Sequence, residues 1–103
     1  MNNSILLINQ LIEIKQKAEK ENFYSKIERN VNRMLSIFED EGYKIIVPLG
    51  EKYSETRTDC EANLVGKESS NMKITQVIKP IIYKQQNQGI TIVQKGIVLV
   101  ENK

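Results

Sequence analysis

The hydrophobic period of this chain changes once, at Gly42, from the spacing of a helix to the alternation of a strand. Upstream, Leu7, Leu11, Ile14 and Ala18 form one apolar stripe, and Ile5, Ile8 and Ile12 form a second beside it. Ser4 stands where an N-cap belongs. With Leu6 the two stripes wrap most of the helix circumference. That is more apolar surface than one short helix in a 103-residue chain can cover with its own neighbours. A helix from a second copy would cover it. Residues 15–22 are polar and hold neither Gly nor Pro, so the helix either runs on or turns near Glu21-Asn22. A second seam follows at Phe23, Ile27, Val31, Met34/Leu35 and Phe38. Gly42 sits where a left-handed residue closes a helix. Two helices, or one kinked helix, are predicted.

Downstream of Gly42 the chain reads as five or six short strands. Residues 43–47 precede the break Pro48-Leu49-Gly50, and 51–57 are polar and irregular. Thr58, Cys60, Ala62 and Leu64 alternate with Asp59, Glu61 and Asn63, the mark of a half-buried strand. Residues 74–78, 81–83, 90–93 and 97–100 are further apolar runs, with turns at 85–89 and at Lys95-Gly96. The expected architecture is α+β: a helical segment over residues 1–42, then a small all-β domain over 43–103. A β unit of about 60 residues lies near the lower limit for independent folding.

The chain has no histidine, so the commonest general base and metal ligand is missing. A lone Cys60 builds neither a disulfide nor a zinc site, and its place in the alternating strand marks it as a packed apolar residue. Glu51, Glu55, Asp59 and Glu61 cluster in sequence. Asp59 and Glu61 fall on the polar side of their strand, which favours a solvated face over an acid–base pair. No phosphate-binding glycine loop occurs. Catalysis, a metal and a cofactor are therefore not expected. The N-terminus does not resemble a signal peptide, and residues 5–14 fall far short of the roughly 20 apolar residues that span a bilayer. A cytoplasmic protein without membrane contact is expected.

Net charge is +2, with six basic and seven acidic side chains over residues 1–41 and nine and six over the rest. This balance is too weak to argue for nucleic acid by itself, and the mildly basic second half suits an acidic protein surface at least as well as a nucleic acid. Lys26, Arg29 and Arg33 fall on one helix face, but Glu28, Asn30 and Asn32 interleave and no aromatic residue accompanies them.

The order of these features resembles the C-terminal half of the GrpE family, nucleotide exchange factors of DnaK-type heat-shock chaperones. The matching stretches are residues 35–46 through Phe38 and Gly42, then Gly50-Glu51-Lys52-Tyr53, then 58–64, 74–78 and 97–100. The chain departs from the family where its Phe-Asp-Pro-x-x-His becomes Tyr53-Ser54-Glu55-Thr56-Arg57-Thr58, in the final hairpin, and in lacking a long N-terminal coiled coil. The resemblance implies a homodimer built on a four-helix bundle, with Ile5, Ile8, Leu11, Ile12, Phe23, Ile27, Val31 and Leu35 at the interface. It implies that each β domain is a wing that enters the ATPase domain of a DnaK-type chaperone and forces its nucleotide cleft open. Gly42, Tyr43, Ile90, Thr91, Val98 and Val100 are the expected chaperone contacts. The rival expectations are a dimeric adaptor that keeps this fold without exchange activity, and a small nucleic-acid-binding regulator.

Overall fold

The computed structural model describes residues 3–102. Helix α1 spans Asn3–Lys20, so Ser4 lies inside its first turn and does not precede it. The helix stops at Asn22, whose φ of 57° is left-handed. Phe23 N–H donates to Ala18 O at 2.7 Å and Asn22 N–H to Glu19 O at 3.2 Å, the paired bonds of a Schellman closure. A 3₁₀ turn, Tyr24–Lys26, leads to α2, Glu28–Asp40. Phe23 and Ile27 of the second seam therefore precede α2, with Ile27 as its N-cap. Gly42 ends α2 at φ 99°, its N–H bonded to Glu39 O at 2.9 Å. A Cβ there would stand 3.4 Å from Gln85 O in a conformation L side chains avoid.

Six strands follow: β1 Tyr43–Ile46, β2 Cys60–Val65, β3 Met72–Lys79, β4 Ile81–Gln86, β5 Gly89–Gln94 and β6 Gly96–Asn102. They form two three-stranded sheets in the orders β1-β4-β5 and β2-β6-β3. The sheets are two ends of one ribbon. β4 pairs antiparallel with β5 from Gln86↔Gly89 to Ile82↔Gln94, and β3 pairs antiparallel with β6 from Lys79↔Ile97 to Met72↔Asn102. The register passes Pro80 and Lys95 without slipping, so residues 72–102 make one long hairpin bent at Pro80. Register shifts leave Thr75, Ile78 and Val93 as extra residues, and such bulges add twist and bend to a ribbon. β1 lies antiparallel to β4, and β2 parallel to β6. Gly96 serves the bend: an added Cβ would come within 3.0 Å of Ile81 Cγ1 and 3.2 Å of Cys60 Sγ.

Two apolar clusters form. One joins Cys60, Met72, Ile74, Val77, Ile81, Val98 and Val100 across the β2-β6-β3 sheet. The other joins Ile8 and Ile12 of α1 to Tyr43 and Ile82 of the β1-β4-β5 sheet, with Phe38 and Val93 at its edge. Val47 packs against both. Asn9 and Gln94 exchange two amide hydrogen bonds of 2.8 Å, and Gln94 Nε2 also donates to Pro80 O at 2.8 Å. The boundary at residue 42 is thus a change of element type and not a division of the core. The helical segment 1–42 shares its buried surface with the strands.

Removing Ile82 tests this shared core. Ile82→Ala should cost about 2–5 kcal/mol, since the side chain is fully enclosed. Helical ellipticity and the near-ultraviolet tyrosine signal should be lost in one coincident urea transition. Separate transitions would mean the helices and strands fold as independent units.

Candidate functional site

Three of the expected contact residues converge where α2 meets the sheet. Gly42, Tyr43 and Ile90, with Glu39, Lys44, Ile45 and Gln85, line an open cleft of about 460 Å³. Its floor is fixed. Gln85 N–H donates to Gly42 O at 2.8 Å, and the Tyr43 ring packs edge-on against Phe38 with centroids 6.4 Å apart. Lys84 Nζ sits 4.0 Å from the centre of the Tyr43 ring and donates to Glu41 O at 2.6 Å. A cation at a helix C-terminus offsets the partial negative charge that Glu39, Asp40 and Glu41 reinforce. Thr91, paired with Lys84 in the β4–β5 ladder, borders this cluster. Ile90 is the outward apolar residue, 56 % exposed, while Tyr43 is buried.

Val98 and Val100 do not belong to this surface. Both are fully buried on β6, the central strand between β2 and β3, and their side chains pack the sheet interior. The expectation that they touch a partner is corrected: alternation along β6 points them into the core.

The expected dimer residues are also redistributed. Ile8, Leu11, Ile12 and Val31 are buried within the single chain, and Ile5 and Leu35 pack half-buried against the helix–sheet cluster. Ile27 is half-buried in the inter-helix turn, and Phe23 is exposed with Lys26 Nζ 5.7 Å above its ring. The stripe carrying Ile5, Ile8 and Ile12 faces the sheet; the other stripe is divided, with Leu11 and Ala18 buried and Leu7 and Ile14 facing out. Leu7 (58 % exposed), Ile14, Met34 and Ile37 (57 % exposed) join Gln10, Leu11 and Phe38 around an apolar groove of about 270 Å³. This groove and the cleft share no lining residue.

The acidic cluster is organised by Arg57, which the sequence did not single out. Its Nε donates to Asp59 Oδ1 at 2.6 Å, and Nη2 donates to Glu51 Oε1 at 2.9 Å and Asp59 Oδ2 at 3.3 Å. Nη1 reaches Lys52 O at 3.4 Å. Asp59 is therefore partly buried and paired, not solvated as its strand parity implied. The guanidinium holds the Asp59 carboxyl below its ordinary value, and the pair raises Arg57 in turn. The network pins the irregular segment before β2. Residues 50–53 of that segment bond along β3: Gly50 N–H to Ile74 O and Ile74 N–H to Glu51 O at 2.9 Å, and Tyr53 N–H to Met72 O at 2.8 Å.

Cys60 is buried, and desolvation, then the neighbouring Asp59, pushes its thiol up to about 11. Among the described residues no group of three His, Cys, Asp or Glu is placed to hold a metal ion. None of the described helices is long and apolar enough to cross a membrane. Arg29 and Arg33 line a shallow exposed hollow with Glu28, Asn32, Ser36 and Ile37, while Lys26 lies in the preceding 3₁₀ turn.

Comparisons with family models, curated proteins and solved structures find no match. The arrangement itself thus carries the functional argument: a neutral apolar groove on the helices, and a rigid cleft at the sheet.

Two outcomes follow from the Arg57 network and its neighbour. A carboxyl lowered in the folded state stabilises it above its unfolded value of about 4, and that contribution disappears as the pH falls through the lower folded value. Urea midpoints measured from neutral to acid pH should fall in that window, and Asp59→Asn should lower the neutral midpoint and flatten the acid limb. Cys60 should resist a thiol reagent at pH 8 until urea unfolds the chain; rapid labelling of the native protein would contradict its burial.

Proposed function

We propose that this chain is a GrpE-like co-chaperone that dimerises through its helices, binds the ATPase domain of a DnaK-type chaperone and promotes nucleotide release. The observation that carries the reading is the double role of α2. The C-terminal half of the helix lines the apolar groove through Met34, Ile37 and Phe38, and Glu39 in its last turn walls the cleft that holds Gly42, Tyr43 and Ile90. A helix pair docked through that groove would present two clefts at fixed positions. The order of elements, helices first and a two-sheet β unit second, also fits the resemblance.

The physics of such a protein needs no reacting group. A binder that prefers an open nucleotide cleft shifts the chaperone toward that state by its differential affinity for the two states. A rigid wing suits this task because it contributes little of its own ordering entropy on binding. Here rigidity comes from the bent hairpin, the Lys84–Tyr43–Glu41 joint and the Asn9–Gln94 pair.

Stopped-flow release of a fluorescent nucleotide from a DnaK-type chaperone is the direct test. Acceleration by the full chain is the expected result, and Ile90→Glu should weaken it while leaving the urea midpoint unchanged. Binding without acceleration would replace this reading with the adaptor. Dimerisation is tested separately by sedimentation: Ile37→Lys, at an exposed groove position, should weaken the dimer by at least about tenfold without unfolding the protomer.

A further inference from the structure

The two sheets have four edge strands, and three of them are protected. β3 is covered by residues 50–53 and carries Lys73 and Lys79. β1 is four residues long and carries Lys44; β2 carries Glu61. Such devices stop a sheet edge from pairing with other chains. β5, Gly89–Gln94, has only the bulge at Val93 near its C-terminal end. It is six residues long, uncharged, free of proline, and reads Gly-Ile-Thr-Ile-Val-Gln. Only β4 pairs with it, so the backbone groups of its outer side have no strand partner among the described residues. Ile90 and Ile92 project from one face, 56 % and 39 % exposed. An unguarded edge of high β propensity invites a strand.

We propose that β5 receives an extended segment of a partner protein as an added antiparallel strand, enlarging the β1-β4-β5 sheet to four strands. The outward N–H and C=O groups dictate an extended backbone, and Ile90 and Ile92 favour β-branched side chains beside them. Charge selects further. β5 carries no carboxylate and the exposed Lys95 follows it directly, whereas Lys44 lies on the far edge strand β1 and Lys84 Nζ is bonded to Glu41 O. The preferred segment is thus apolar and β-branched with a carboxylate at its N-terminal end, which antiparallel pairing sets beside Lys95.

A second copy fits less well. A six-residue strand pair buries far less than the roughly 1,200 Å² of stable interfaces, and the apolar surplus for self-association lies on the helices. A transient partner needs no such area. The inference concerns the form in which a partner is held, so it stands or falls apart from chaperone binding.

The test uses the full chain and two synthetic peptides. One alternates valine and threonine behind an N-terminal glutamate; the other has the same side chains with alternate backbone nitrogens methylated. Amide hydrogen exchange is followed residue by residue. At a concentration about ten times its Kd, the first peptide should slow exchange of amides in Gly89–Gln94 by about tenfold, and Ile92→Lys should abolish this. The methylated peptide should have no effect, because it keeps the side chains but loses the donors. No protection in β5, or equal action of both peptides, would overturn strand addition. Protection that grows with protein concentration and needs no peptide would overturn it in favour of β5 pairing with its own copy.

Discussion

The whole structure hangs on one antiparallel ribbon, residues 72–102, that keeps the same register on both sides of Pro80 and so serves both sheets. At Pro80 the ribbon bends, and its two strands exchange places in the layout. β4 is central in one sheet and β6 in the other, so the flanking strands β1 and β2 attach to opposite sides. Pro80 suits the corner because it donates no ladder hydrogen bond, and its carbonyl is taken by Gln94. Gly96 suits it because a Cβ would crowd Ile81 Cγ1 at 3.0 Å and force that side chain to shift. A chain this short reaches two buried clusters only by making the same strands serve both, with Val47 reaching into each.

Charge is used sparingly and locally. The Arg57 network fixes the segment that shields β3, and the long-range polar contacts elsewhere include a pair of neutral amides and a lysine on a helix end. The helix groove is apolar at Leu7, Ile14 and Ile37, whereas the cleft sets Ile90 among Glu39, Lys44 and Gln85. Recognition at the groove depends on shape and desolvation more than on ion pairing.

The change of period at Gly42 is legible in the sequence because local spacing and backbone preference encode it, while the turn near Asn22 and the strand count, five or six, are narrowed by the same signals and decided only by the structure. Less was legible where two faces of one element competed. Both stripes of α1 are equally apolar, and nothing local says that Ile8 and Ile12 face the sheet while Leu7 and Ile14 face out. Val98 and Val100 were misplaced by the family resemblance, which gives a strand but not which of its faces is buried or that β6 is central. Arg57 was hidden for a different reason. Its bonds to Glu51 and Asp59 depend on how an irregular loop folds back, which no period records. A signal existed in the clustered carboxylates around a single arginine.

The amide pair between Asn9 and Gln94 joins residues 85 positions apart. Chain order makes this a matter of timing. α1 is synthesised before the strands that seat it, because Tyr43, Ile82 and Gln94 belong to β1, β4 and β5. The seat for Ile8 and Ile12 is complete only when those strands are in place. Closing the ribbon requires only a tight turn at Asn87-Gln88, whereas docking the helix on the strands closes a far longer loop at a larger cost in chain entropy.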